Sequence, residues 1–223
     1  MLKSLLQRAR EARAAELGDG EGLEEGFTLI ELMVVLLIIA ILLAIAIPTF
    51  LGVTNSASDR AAQSNLTNGL TEAKAIFQNT SSYYPAVGAT QAQVLTNFSS
   101  SAPEFSWVLG STACTTNNNC MSEQVVDVNG HDDGQGVIMA TYSAKDSECW
   151  YALDLEASPQ VVALGTETGA DLPYAPTSVP ATASTAGVFY AKKSGSANCK
   201  AGYPQANSTT FLWGPSYGSA GSN

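Results

Sequence analysis

The sequence has few of the residues and motifs on which catalytic sites depend. Its 223 residues include a single histidine, His131, and charged residues make up only 13% of the chain. It contains no Gly-x-Ser-x-Gly motif to present a serine nucleophile. Acidic residues are numerous, but nothing in their spacing sets two of them across a cleft. These observations predict a protein that is not an enzyme and needs no cofactor.

Basic residues are also scarce. Lys and Arg number 10 against 20 Asp and Glu, which gives a formal net charge of −10. Because nonspecific nucleic-acid binding depends on neutralising phosphates with Lys and Arg, direct binding of nucleic acid is not expected. Ser, Thr, Asn, Gly and Ala dominate beyond residue 80. The composition therefore indicates an exported protein with a solvated outer surface.

The longest apolar stretch is the main feature of the N-terminal region. Residues 32–47 are uninterrupted apolar sequence without Gly or Pro, enough for about 24 Å of helix. Adding residues 27–30 brings the run close to the ~30 Å hydrocarbon core of a bilayer. Glu31 lies inside this run, and a carboxylate at membrane depth is interpreted as functional.

Two simpler interpretations leave part of this pattern unexplained. A secretory signal peptide has a basic start and an apolar core of about 7–15 residues. Here six acids lie among or after the first four basic residues, ahead of a longer apolar run. A plain transmembrane anchor accounts for the length of the run but not for Glu31.

A third interpretation uses Gly26 and Glu31 together. Cleavage between Gly26 and Phe27 would create an α-amine one helical turn before Glu31, which gives the carboxylate a cationic partner in its own chain or in a neighbour. The sequence Gly-Phe-Thr-Leu-Ile-Glu from Gly26 to Glu31 resembles the class III signal of type IV pilins and pseudopilins. The resemblance covers the N-terminal quarter of the chain.

The resemblance implies a processing and assembly route. A prepilin peptidase would cut after Gly26, and the amine of Phe27 would be N-methylated. Phe27, Glu31 and Pro48 would be the assembly residues, and Pro48 removes a backbone hydrogen bond where a kink is expected. The subunit would cross the membrane once, meet a pilus assembly platform, and join a helical homopolymer outside the cell.

The predicted fold is α+β, with a long N-terminal helix whose apolar half protrudes. Its amphipathic half carries Leu66, Leu70, Ala73 and Phe77 at helical spacing, ends near residue 78, and is expected to pack on an antiparallel β-sheet. The predicted segments are a cleaved leader (1–26), a transmembrane and filament-core half-helix (27–51), an amphipathic half-helix (52–79) and a globular β-rich head (80–223).

Turn clusters and apolar alternation predict the elements of the head. A short helix is expected at 91–98 and an exposed loop at 169–186. Strands are expected at 105–109, 124–128, 136–142, 148–155, 160–164, 187–191 and 209–213.

The four cysteines allow three pairings. We favour Cys114–Cys120, which closes a small polar loop, and Cys149–Cys199, which ties the C-terminal region to a strand. The spacings resemble no zinc site.

The acidic segment around His131 has two interpretations. Asp127, Asn129, Asp132 and Asp133 supply oxygens that suit calcium, although the segment departs from the EF-hand pattern at positions 6 and 12. The simpler interpretation is a solvated hairpin turn, and we favour it.

Three functions fit these features. The favoured one is a structural subunit of a type IV pilus that serves adhesion, twitching motility or DNA uptake. The alternative is a pseudopilin of a type II secretion or competence machine. The third is a membrane-anchored adhesive domain that never polymerises. A large Ser- and Thr-rich head with two bridges favours the first.

Overall fold

The computed structural model describes residues 26–86, 88–115, 119–127, 133–157, 186–206, 212–219 and 221–222. The chain divides into two units, residues 1–50 and 51–223, and we call the second the head unit. The helices are α1 (Leu29–Thr80), α2 (Gln91–Ser101) and α3 (Gly202–Ala206). The strands are β1 (Ser106–Leu109), β2 (Cys120–Val126), β3 (Gly136–Ser143), β4 (Glu148–Leu155), β5 (Gly187–Ser194) and β6 (Gly221–Ser222). The α+β class is confirmed.

The strands form one mixed sheet in the order β1-β2-β3-β4-β5-β6. The four strands from β2 to β5 are antiparallel, as predicted. Both edge pairs, β1 with β2 and β5 with β6, are parallel and differ from the prediction of an antiparallel sheet. Parallel neighbours need a connection that returns the chain to the same end of the sheet. Ten residues separate β1 from β2 along the chain.

Helix α1 covers one face of the sheet within the head unit. Its buried residues recur at helical spacing, so that one stripe faces the strands. They are Ala62, Leu66, Gly69, Leu70, Ala73 and Ile76. The predicted stripe is largely confirmed, although Phe77 is half-buried and the helix ends at Thr80 rather than near residue 78.

Helix α1 approaches the sheet closely at Gly69. A Cβ atom placed there would lie 3.2 Å from Cε of Met121 and 3.4 Å from Sδ of Met139. A larger residue would therefore push into the methionines of β2 and β3.

The C-terminal part of the chain contributes to burying the other face of the sheet. Cys149, Tyr151 and Leu153 of β4 are fully buried there, in one cluster with Cys199 and Trp213. Disulfides join Cys149 to Cys199 and Cys114 to Cys120, which is the pairing favoured from the sequence. The hydroxyl of Tyr151 donates to the carbonyl of Asn198 beside the first of these bridges.

Most described strands agree with the predicted positions, and β2, β3 and β5 are longer than predicted. Strand β2 begins four residues earlier than predicted, because the polar residues Ser122 and Glu123 are buried in it. The strand predicted at 209–213 is wrong for Leu212 and Trp213, which are not part of a strand. Gly214 pairs with Tyr190 instead, as an isolated β-bridge. Residues 160–164, 169–185 and 209–211 lie outside the described residues, as does the predicted leader up to residue 25.

Candidate assembly site

Helix α1 exposes an apolar surface over its first half. Every large apolar side chain from Phe27 to Val53 is exposed. Elsewhere in the described chain, Leu212 alone is an exposed large hydrophobic residue. By length and composition, α1 is apolar enough to cross a membrane. Because the surface is apolar on all sides of the helix, it requires lipid or protein around it.

The predicted cleavage site precedes this helix. Gly26, Phe27 and Thr28 are not helical, and α1 begins at Leu29. Phe27 is 87% exposed. No atom lies within 4 Å of the position that a Cβ of Gly26 would occupy. The peptide bond between Gly26 and Phe27 is therefore open on both sides within the described part of the chain.

Thr28 and Glu31 form a capping box at the start of α1. The backbone N–H of Thr28 donates to Oε2 of Glu31 at 2.9 Å, and the Thr28 hydroxyl donates to the same oxygen at 2.8 Å. The backbone N–H of Glu31 donates in return to Oγ1 of Thr28 at 3.3 Å. These bonds satisfy backbone donors that the first turn of a helix leaves without partners.

The sequence predicted a role for Glu31 but missed Thr28. The signal was present, since a threonine followed three residues later by a glutamate is the capping-box pattern. The carboxylate therefore already has a local partner before any amine approaches it.

The helix continues through Pro48. Proline leaves a carbonyl in the preceding turn without its usual donor. Next to it, the Thr49 hydroxyl donates to the carbonyls of Ile45 at 3.2 Å and Ala46 at 2.9 Å. A side-chain donor thus supplements the backbone hydrogen bonds where the helix loses one.

A polar cluster joins α1 to β4 within the head unit. Nζ of Lys74 lies 3.1 Å from Oδ2 of Asp154 and 3.5 Å from Oε1 of Glu156. The Tyr83 hydroxyl donates to Oδ2 of Asp154 at 2.8 Å. The side chain of Asp154 is 1% exposed, whereas that of Lys74 is 40% exposed.

The pKa shifts in this cluster follow from that difference in exposure. Burial raises the pKa of Asp154, although hydrogen bonds from Tyr83 and the charge of Lys74 act in the opposite direction. Partial burial would lower the pKa of Lys74, but the carboxylates of Asp154 and Glu156 outweigh it and raise that pKa. The cluster therefore depends on the lysine to hold a carboxylate inside the head unit.

The calcium candidates do not meet in one described site. Oδ1 of Asp127 accepts from the backbone N–H of Gly134 at 3.1 Å, and Oδ1 of Asp133 accepts from the N–H of Gln135 at 3.1 Å. Asn129 and Asp132 lie outside the described residues. The described part of the chain contains no group of three or more His, Cys, Asp or Glu side chains that could hold a metal. Both described carboxylates thus bind turn backbone.

Comparison with known proteins identifies the N-terminal segment. Residues 23–47 match the model of the prokaryotic N-terminal methylation motif, which is the class III signal of type IV pilins and pseudopilins. The segment contains Gly26, Phe27, Thr28 and Glu31. Neither a curated protein nor a solved structure matches the chain significantly. The motif supports a type IV pilin or pseudopilin, which is a structural type of protein, and together with the apolar helix it fits anchoring in the membrane before assembly.

Proposed function

We propose that the chain is the structural subunit of an extracellular type IV pilus. The observation that carries this proposal is the exposed apolar surface of residues 27–53. The first residues of this surface lie inside the methylation motif and include Glu31, which caps the start of α1 together with Thr28. Lipid covers this surface before assembly. In the filament, the same surface of neighbouring subunits replaces the lipid, so that the helices form an inner core with the head units outside.

Processing creates the second element of the assembly site. Prepilin peptidase cuts after Gly26, and Phe27 becomes an N-terminal residue whose amine is methylated. The backbone N–H of Thr28 survives this cut, so the capping box remains intact. Its two Thr28 donors converge on Oε2 of Glu31.

The capping box leaves Oε1 of Glu31 to accept a further donor. The Phe27 amine of a neighbouring subunit is a suitable donor, because an opposite charge beside the carboxylate favours its ionised form. Removal from water strengthens the attraction between the two groups. Such a pair forms in one axial register only. It therefore sets the stagger between subunits as they leave the membrane through the assembly platform.

Electron microscopy of material sheared from cells, labelled with an antibody to the head unit, tests the proposal. We expect long labelled fibres from wild-type cells and none from cells that express a Gly26→Leu chain. A pseudopilin of a secretion or competence machine would leave the labelled protein within the envelope. A monomeric adhesive domain would remain in the membrane and give no fibres when the chain is overexpressed.

A further inference from the structure

Glu123 is a buried acid without a partner in the core of the head unit. It lies in the middle of β2, and its side chain is 0% exposed. Neither Oε1 nor Oε2 has a hydrogen-bond partner in the described part of the chain. Ionised carboxylates are almost never fully buried unless they are paired. An uncompensated acid at this position therefore needs an explanation.

The surroundings of Glu123 are apolar. Residues two apart in a strand share a face, so Glu123 lies on the same face as Met121 and Val125, the face that α1 covers. Its register neighbours are Met139 in β3 and Leu109 in β1. Gly69 allows α1 to approach within contact distance of Met121 and Met139. The carboxyl group is therefore enclosed between the helix and the sheet.

In the described part of the chain, no positively charged side chain pairs with the Glu123 carboxyl group. Strands β1 and β3 and helix α2, which pack beside it, contain no charged residue. Along the same face, Asp127 accepts from the N–H of Gly134, and Lys74 of α1 binds Asp154 of β4 and Glu156, which follows that strand. The other charged or titratable side chains in the head-unit part of α1 and on these strands are the exposed Arg60, the partly exposed Asp59 and Glu72, and the buried Tyr142 of β3; the buried Tyr84 follows α1 in the chain.

We propose that Glu123 is a proton-dependent latch, which holds residues 62–76 of α1 on the sheet when the carboxyl is neutral and loosens them when it ionises. An ionised carboxylate has no partner in this position, so the helix must move away to admit water or a cation. A neutral carboxyl without a partner costs far less than an ionised one, so it can stay buried while the helix remains in place.

The direction of the pH dependence follows from the two states. Burial raises the pKa of Glu123 from 4.5 to about 8. Below pH 4.5 both the folded and the unfolded chain hold the proton, and Glu123 contributes no pH dependence. Between the two pKa values only the folded chain holds it, so stability falls as the pH rises. Above about pH 8 the full loss is present.

Hydrogen exchange on the full-length chain in detergent micelles tests the latch. The readout is the protection of peptides from residues 62–76 divided by that of peptides from β4, because this ratio cancels the effect of pH on chemical exchange. In the wild-type chain we expect the ratio to fall between about pH 5 and pH 8, by up to about tenfold per pH unit at the steepest point, and to level off above that range. In Glu123→Gln the ratio should stay constant, and the exposed Glu104→Gln control should behave as wild type.

The same pH course in wild type and Glu123→Gln, or a constant ratio in both, would overturn the proposal. A direct titration keeps it testable if Glu123→Gln does not fold. The side-chain carboxyl of Glu123, labelled with ¹³C in the wild-type chain, should stay protonated at neutral pH. Titration near its ordinary pKa of 4.5 would also overturn the latch.

Discussion

The ammonium group of Lys74 lies 3.1 Å from Oδ2 of Asp154, and this contact ties helix α1 to strand β4 inside the head unit. Asp154 is almost fully buried, and its second oxygen, Oδ1, has no hydrogen-bond partner in the described chain. The hydroxyl of Tyr83 donates to the same oxygen as Lys74. Among the described residues, Lys74 is thus the only positively charged side chain in contact with the Asp154 carboxylate.

Replacing Lys74 with alanine should destabilise the head unit. The change leaves the Asp154 carboxylate buried with Tyr83 as its remaining donor, and an uncompensated buried charge costs several kcal/mol. Because Lys74 is partly exposed and water can enter, we expect a loss of about 1–2 kcal/mol. Denaturant unfolding followed by tryptophan fluorescence measures it. The exposed Lys145→Ala is the control, and equal midpoints for the two variants would contradict the role of Lys74.

Gly69 should not tolerate a large side chain. Leucine at this position would overlap Met121 and Met139 and force the helix away from the sheet, at a cost of about 1–3 kcal/mol. Gly52 in the same helix offers a matched control, since no atom lies within 4 Å of its added Cβ. The unfolding midpoint should therefore drop for Gly69→Leu and not for Gly52→Leu. An unchanged midpoint for Gly69→Leu would show that the two methionines can move aside.

The two disulfides should differ in their contribution to stability. In the chain-entropy model the gain grows with the length of the closed loop. Cys149 and Cys199 are 50 residues apart, and Cys114 and Cys120 are 6 apart. Replacing both cysteines of the first pair by alanine should cost about 4 kcal/mol, and doing so for the second pair about 2 kcal/mol. Membrane insertion should persist in both variants. The idea fails if the shorter bridge proves the more stabilising in denaturant unfolding.

The sequence predicted those parts of the fold that depend on local patterns. Leu66, Leu70 and Ala73 lie at helical spacing, and β4 alternates along its length, so both elements follow from periodicity. The parallel pairing of β1 with β2 does not follow from periodicity, because the direction of a neighbouring strand is set by long-range packing. Glu123 was missed for a similar reason. A glutamate between Met121 and Val125 is compatible with an exposed edge, and only the packing of α1 shows that it is buried.

Within the candidate site, the sequence singled out Glu31 by its charge but did not predict its hydrogen bonds with Thr28. A charged residue in an apolar run is recognisable from the sequence alone. The role of Thr28 is visible only from its hydrogen bonds to Glu31 at the start of α1. The Lys74 and Asp154 pair was beyond sequence reasoning, since 80 positions separate the two residues along the chain.

Gly26→Leu should block processing of the leader. The open, non-helical bond between Gly26 and Phe27 suits a protease that requires a small residue before the cut. The variant should keep the leader and migrate as the longer chain on denaturing gels. N-terminal sequencing of the wild-type surface protein should begin at methylated Phe27. Gly26→Ala, which adds one methyl group, is the matched control for the size requirement. A mature wild-type chain that begins at any other residue would refute the assigned site.

Glu31→Ala should abolish fibre assembly without affecting the fold of the head unit. The substitution removes the carboxylate that accepts from Thr28 and, in the proposed filament, from the Phe27 amine of a neighbour. The chain should still be made, inserted and cleaved, because the cleavage site and the head unit do not include this carboxylate. Fibres counted by electron microscopy should be absent, and wild-type subunits supplied in the same cell should restore them in part.

Two further variants separate the capping role of Glu31 from its role between subunits. Glu31→Gln keeps an oxygen that can accept from the N–H of Thr28 but loses the charge that attracts an amine. Thr28→Ala removes the hydroxyl and keeps the charge. If the charge between subunits decides assembly, Glu31→Gln should give as few fibres as Glu31→Ala, whereas Thr28→Ala should give an intermediate number. Normal fibres from Glu31→Gln would show that Glu31 acts only as a helix cap. The proposal that its charge sets the register between subunits would then be wrong.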